Sequence, residues 1–215
     1  MVTVVTGGIG SGKSEVCRII HEEYGFPVYE ADRKAKELYV RYPELLSAIE
    51  SSLDCVVRDS ENVFQPRLLA ERIFGDGNAL ATVEGLLFPY MLSDFKEYAE
   101  SSGNIIIFES ATVLEKSFFD GFGDKVILVD APYQVRLERA CRRDGTLPEA
   151  VIARMEGQKL MNAISAGMAG TFLPESSFGR AYARIDEIIM NNGSAEDLVR
   201  SVRDTMERLM ADDIN

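Results

Sequence analysis

VTVVTGGIGSGKSEV, residues 2–16, passes from a β-branched run through a string of glycines to a lysine and a serine. The run at 2–6 alternates too little for an edge strand and reads as a central parallel strand covered on both faces. Glycines end it at once. From Lys13 to Tyr24 the apolar residues Val16, Ile19 and Ile20 recur at helical spacing, and Gly25 stands where a C-terminal cap belongs. The unit is strand, glycine loop, helix.

Gly7, Gly12, Lys13 and Ser14 fill the pattern G-x-x-x-x-G-K-[ST], in the strand-to-helix context that gives the pattern its meaning. Glycines adopt backbone angles closed to other residues, so their N–H groups can converge on a polyphosphate at the start of a helix, where the dipole adds about half a positive charge. The ATP-binding segment predicted from this is Gly8, Gly10, Ser11, Gly12, Lys13, Ser14 and Glu15. Lys13 supplies a point charge for the β- and γ-phosphates. Ser14 supplies a hard oxygen for Mg²⁺. A plain tight turn would use the glycines but would not require Lys and Ser behind them.

Composition limits the partners. Thirty-five acids against 23 Lys and Arg give a net charge of −12, and no Lys/Arg run exceeds two residues, which argues against nucleic acid and anionic membranes. Cys17, Cys55 and Cys141 lie far apart without metal-site or disulfide spacing, as expected of thiols in a reducing cytoplasm. The lone His21 is assigned no role. MVTVVT lacks the basic flank of a signal peptide, so the expectation is a soluble, cytoplasmic protein.

Further along, FPVYE at 26–30 gives a second strand, followed by a polar helical stretch to about residue 53. RDSENVFQPR is rich in turn residues; helices follow at about 67–74 and around Pro89. Buried strands return at NIIIFE (104–109), KVILVD (125–130) and IDEIIM (185–190). VRLERACRRDG, PEAVIARMEGQKL and AEDLVRSVRDTMERLM read as charged amphipathic helices. Strands alternating with helices imply right-handed crossovers and a parallel sheet covered on both faces, with 33–102 as a helical insertion.

The acceptor side rests on Asp32. It follows the second strand, and the carboxyl ends of neighbouring strands in such a sheet open into one crevice. It can serve as the base that takes a proton from an acceptor hydroxyl, or as the N-cap of the next helix. Arg139, Arg142 and Arg143 precede an Asp-Gly turn that suggests a lid, where guanidinium groups would neutralise charge spreading on a transferred phosphoryl group. An N-K-x-D guanine signature is lacking.

These residues carry a resemblance to dephospho-coenzyme A kinase, a P-loop kinase of the nucleoside-monophosphate kinase type. TGGIGSGKS at 6–14 is similar to the family's opening and YEADRKAKEL at 29–38 to its V-x-D-A-D segment, with Asp32 on the second aspartate. RLLAERIF at 67–74 resembles the insert helix, VDAPYQVRLERACRRDG at 129–145 the strand and lid, Gln158 a glutamine after the lid, and IIMNNGS at 188–194 the late strand. The resemblance implies an α/β fold, a P-loop NTPase-type parallel five-stranded sheet of order 2-3-1-4-5. It implies three parts: a core at about 1–32, 103–138 and 180–215, an acceptor-binding insert at 33–102 and a lid at 139–179.

It also implies an activity, phosphorylation of the ribose 3′-hydroxyl of dephospho-CoA by ATP with Mg²⁺, in a monomer or weak homo-oligomer. Asp32, Lys13 and Arg139 take the catalytic positions and Arg143 joins the ATP-binding set. Departures from the family pattern are Phe88-Pro89 in place of His-Pro, Ala111 at a proline position, and Glu30 at the first Asp of D-A-D. Glu109 ends the third strand as a group to orient Mg²⁺ waters or the acceptor, or as a helix cap. Asp130 is read as loop-forming. Gly145, Asn191 and the insert are candidates to contact adenine and the pantetheine arm. The alternatives are a related nucleoside or nucleotide kinase and a nucleotide-dependent switch.

Overall fold

The computed structural model describes residues 1–103 and 105–212. Asn104, the first residue of the run predicted at 104–109, and residues 213–215, the end of the expected core, lie outside them. The described residues divide into two compact units, one of 1–28 with those of 102–212 and one of 29–101.

Five strands form one sheet in the order β2-β3-β1-β4-β5: β1 (Val2–Thr6), β2 (Val28–Glu30), β3 (Ile106–Glu109), β4 (Lys125–Asp130) and β5 (Glu187–Met190). β1 lies between β3 and β4 and pairs with both in parallel, with Val4 opposite Phe108 and Val126. β5 continues the parallel set beyond β4. Thr3 to Thr6 are buried, which is what a doubly covered central strand requires.

In the first unit, α1 (Lys13–Tyr24) and α10 (Ala195–Asp212) cover one side of this sheet. Val16, Ile19 and Ile20 from α1 join Leu198, Val202, Met206 and Leu209 from α10 on Val5, Ile107, Ile127 and Ile189. Gly25 caps α1 in the left-handed region, its N–H donating to His21 O. A second cluster joins Leu137 and Ala140 of α6 (Tyr133–Asp144) to Val151 and Met155 of α7 (Pro148–Glu156), with Ile9 of the glycine loop against it. α8 (Lys159–Ser165) and α9 (Ser177–Tyr182) follow.

The second unit contains α2 (Ala31–Arg41), α3 (Pro43–Leu53), α4 (Pro66–Ile73) and most of α5 (Gly77–Ser102). The helical stretch expected to run to residue 53 breaks at Tyr42, because Pro43 pushes the residue before it out of the helical region and itself suits a first helical position. Around Pro89, where separate helices were expected, α5 is one continuous helix. Proline removes one backbone bond, but Val83 and Leu87 ahead of it and Met91 behind it all pack on the unit's core, and burial on both sides keeps the halves together. Tyr29 is fully buried, its hydroxyl donating to Asp94 Oδ2 at 3.0 Å with Phe95 edge-on to its ring. Burial, reinforced by Asp94, raises the tyrosine pKa.

Among the described residues no helix is long and apolar enough to cross a membrane. Ile20 is wholly buried between helix and sheet, so Ile20→Ala is expected to lower the unfolding free energy by roughly 2–5 kcal/mol in urea titrations. Val40→Ser, at a residue 71% exposed, is expected to stay within about 0.5 kcal/mol.

Candidate active site

The glycine loop turns sharply because Gly10 and Gly12 take φ of +77° and +95°, in the left-handed region that side chains disfavour. Space enforces the same choice. A Cβ on Gly10 would lie 2.1 Å from the carbonyl oxygen of Arg136, and one on Gly12 would lie 2.1 Å from Asn191 Nδ2.

The outer side of the loop is held by hydrogen bonds from distant parts of the chain. Ile9 N donates to Gln158 Oε1 at 2.8 Å. Asn191, just past β5, donates from Nδ2 to Ser11 O at 2.8 Å. Its own carbonyl accepts from Arg139 Nη1 at 3.0 Å, so one asparagine ties both the loop and a predicted catalytic arginine. Asn191 was a candidate for reading the nucleotide or pantetheine; the structure gives it this bracing role.

A cavity of about 180 Å³ is lined by Gly10, Gly12, Lys13, Ser14, Arg139, Ala140 and Arg143. Lys13 and Ser14 are thus brought together with Arg139 and Arg143, more than a hundred residues away in sequence. Gly8 and Ser11 are buried in the loop itself. Glu15 goes elsewhere: it lies exposed on α1, paired with Arg18, whose hydrogen bond lowers the glutamate pKa. Arg142 is exposed and does not line the cavity.

Glu109 ends β3, the strand beside β1, and is largely buried. Its Oε1 accepts from Ser14 Oγ at 2.7 Å and lies 4.0 Å from Lys13 Nζ. A hydroxyl and a carboxylate so close are the hard oxygen donors that Mg²⁺ prefers. No cluster of three or more His, Cys, Asp or Glu side chains among the described residues is placed to hold a metal.

Arg143 and Arg139 are held differently. Arg143 is forked onto Asp144, with hydrogen bonds of 2.7 and 3.1 Å, and Asp144 also accepts from Arg154 at 2.7 Å. Those bonds, Arg143's foremost, hold the Asp144 carboxyl down at about 2.

Asp32 belongs to the second unit. It sits in the first turn of α2, where Glu30 occupies the N-cap position and makes no side-chain capping bond. Its carboxylate is exposed, without a hydrogen-bond or ion-pair partner among the described residues. Asp32 is therefore not the cap of this helix.

Arg136 went unassigned in the sequence and is completely buried against the loop. Its signal was there: it shares the inward stripe of α6 with Leu137 and Ala140, where an arginine is costly. Asp130, read as loop-forming, accepts from Ser165 Oγ at 2.6 Å.

The family model for dephospho-CoA kinase matches residues 1–166. The chain belongs to the dephospho-CoA kinase family. A dephospho-CoA kinase of Porphyromonas gingivalis is 37% identical over 176 residues, covering 80% of this chain and 86% of its own. A crystal structure of a Thermus thermophilus protein is similar with a TM-score of 0.74 and 25% identity over 97% of each chain. A dephospho-CoA kinase from Campylobacter jejuni shares the fold, with a TM-score of 0.59 and 23% identity over 97% of this chain and 96% of its own.

Gly10→Ala is expected to abolish the rise in melting temperature that ATP gives the parent protein. The left-handed angle alone costs a side chain about 1–2 kcal/mol, and here the Cβ also meets backbone. Asp144 gives a pH test. Its folded pKa is depressed from 3.8 to about 2, so the stability it contributes is complete above that window and drains away as pH falls through it. In thermal melts Asp144→Asn should be less stable than the parent at neutral pH, with the difference shrinking through the acid range and largely lost by about pH 2.

Proposed function

We propose that the protein transfers the γ-phosphoryl group of ATP to the ribose 3′-hydroxyl of dephospho-CoA, giving CoA and ADP, the last step of coenzyme A biosynthesis. The observation that carries this reading is the meeting of Lys13, Ser14, Arg139 and Arg143 around the loop cavity in a chain of this family. We read it as a cytoplasmic enzyme, a monomer or weak homo-oligomer, whose partners are these two small molecules.

In this reading the amides of residues 8–14 hold the phosphates, and Lys13 leaves Glu109 to contact the β- and γ-phosphates. Mg²⁺, held by Ser14 and by waters that Glu109 orients, would neutralise charge between those phosphates. The acceptor 3′-oxygen attacks the γ-phosphorus in line, the bond from that phosphorus to the bridging oxygen breaks, and ADP leaves with the electron pair. Asp32 receives the 3′-hydroxyl proton; an exposed carboxylate committed to no other partner is suited to that. Arg139 is already oriented by the Asn191 carbonyl and meets the transferring group with little rearrangement. Arg143 exchanges Asp144 for phosphate oxygens, so it closes only when an anion competes.

ADP release measured with dephospho-CoA, adenosine, uridine, shikimate and CMP should show turnover with dephospho-CoA. Silence there with turnover on another acceptor would transfer the chain to a related kinase activity; slow hydrolysis without any acceptor would favour a switch. Asp32→Asn should lower kcat by about 10²–10⁴-fold while ATP affinity stays at the parent value. An unchanged rate would remove Asp32 from the mechanism.

A further inference from the structure

Arg136 is the largest fully buried side chain in the molecule's described part, and it lies against the loop that holds the phosphates. A Cβ on Gly8 would meet its guanidinium at 2.6 Å, and its own carbonyl fills the space beside Gly10. Among the described residues only neutral oxygens accept from it: Ser165 Oγ from Nη1 at 2.9 Å and Asn162 Oδ1 from Nη2 at 3.0 Å. Its Nε is buried with no hydrogen-bond partner among the described residues. Asp130 is the acid within ion-pair range, at 3.8 Å and already accepting from Ser165. Burial pulls the arginine's pKa down, and guanidinium nevertheless stays charged at any working pH.

A buried charge costs several kcal/mol unless it is paired closely, and this pairing is loose. A hydrophobic side chain or a glutamine would fill the same space at lower cost. What a cation adds here is a field at the back of a loop made of glycines, with no side chain on Gly8 to hold it away. Water is excluded on that side, so the interaction is weakly screened.

We propose that Arg136 is a positioning residue whose charge supports bound triphosphate through the glycine loop, while its two hydrogen bonds tie α8 to α6 beside that loop. It does not touch the substrate. Its attraction scales with the charge of the phosphate chain, and so favours ATP over ADP. The inference rests on reading residues 7–14 as a triphosphate cradle, and titration of the parent protein with ATP tests that reading separately.

Calorimetric titration of Arg136→Gln and Arg136→Lys with ATP and with ADP tests the role of the charge. Glutamine keeps an amide to hydrogen-bond Ser165 and Asn162 and removes the charge; lysine keeps the charge and loses the fork. The expected result is ATP affinity about tenfold weaker in Arg136→Gln, a smaller loss for ADP, and affinities near the parent's in Arg136→Lys. Equal losses for the two nucleotides, no loss, or a lysine variant as weak as the glutamine one would overturn the proposal. If Arg136→Gln alone does not fold, because Asp130 is left buried without a countercharge, Asp130→Asn is compared with Asp130→Asn/Arg136→Gln. The same graded loss is expected between those two, and its absence is equally decisive.

Discussion

A short loop can point a row of amide N–H groups at one anion only if its backbone is bent into angles that most residues resist, and something must hold it there. Here Gly10 and Gly12 supply the angles. The holding is done by residues far away in sequence, the Asn191 amide on Ser11 and Gln158 on Ile9, while the Arg136 carbonyl fills the space beside Gly10. The sheet order makes this possible, because β1 in the middle places the loop next to the ends of β3 and β4, with β5 one strand further on. A pre-bent loop gains affinity because the bending has been completed during folding.

Charge follows the same economy of placement. A chain of net charge −12 repels polyanions as a whole, yet Lys13, Arg139 and Arg143 converge on one small cavity. Clefts lined by one sign of charge focus the field, so a small anion can be drawn to this cavity despite the net charge of the chain. Each cation has a partner within the protein: Glu109 for Lys13, the Asn191 carbonyl for Arg139, Asp144 for Arg143.

Much of this was legible in the sequence. β-branched runs gave the strands, the alternation with helices gave the parallel sheet, and the glycine, lysine and serine spacing marked the cradle. Local punctuation was read less well. Pro43 ends a helix as its steric rule demands, whereas Pro89 does not, because burial on both of its sides outweighs one lost backbone bond. The bracing of the loop was the least visible part. Asn191 and Arg136 meet the loop through contacts that only the folded chain creates, and an arginine within a charged helix looks solvated until its neighbours on the inward stripe are compared. Glu109 stood between, since its place at a strand end was readable and its bond to Ser14 was not.

The most direct measurement is phosphorus NMR of a mixture of the protein, ATP, Mg²⁺ and dephospho-CoA. The account predicts that the γ-phosphate resonance disappears as a ribose 3′-phosphomonoester resonance grows in equal amount, with ADP as the other product. Inorganic phosphate appearing in place of that monoester, or an ATP spectrum unchanged over hours, would contradict it.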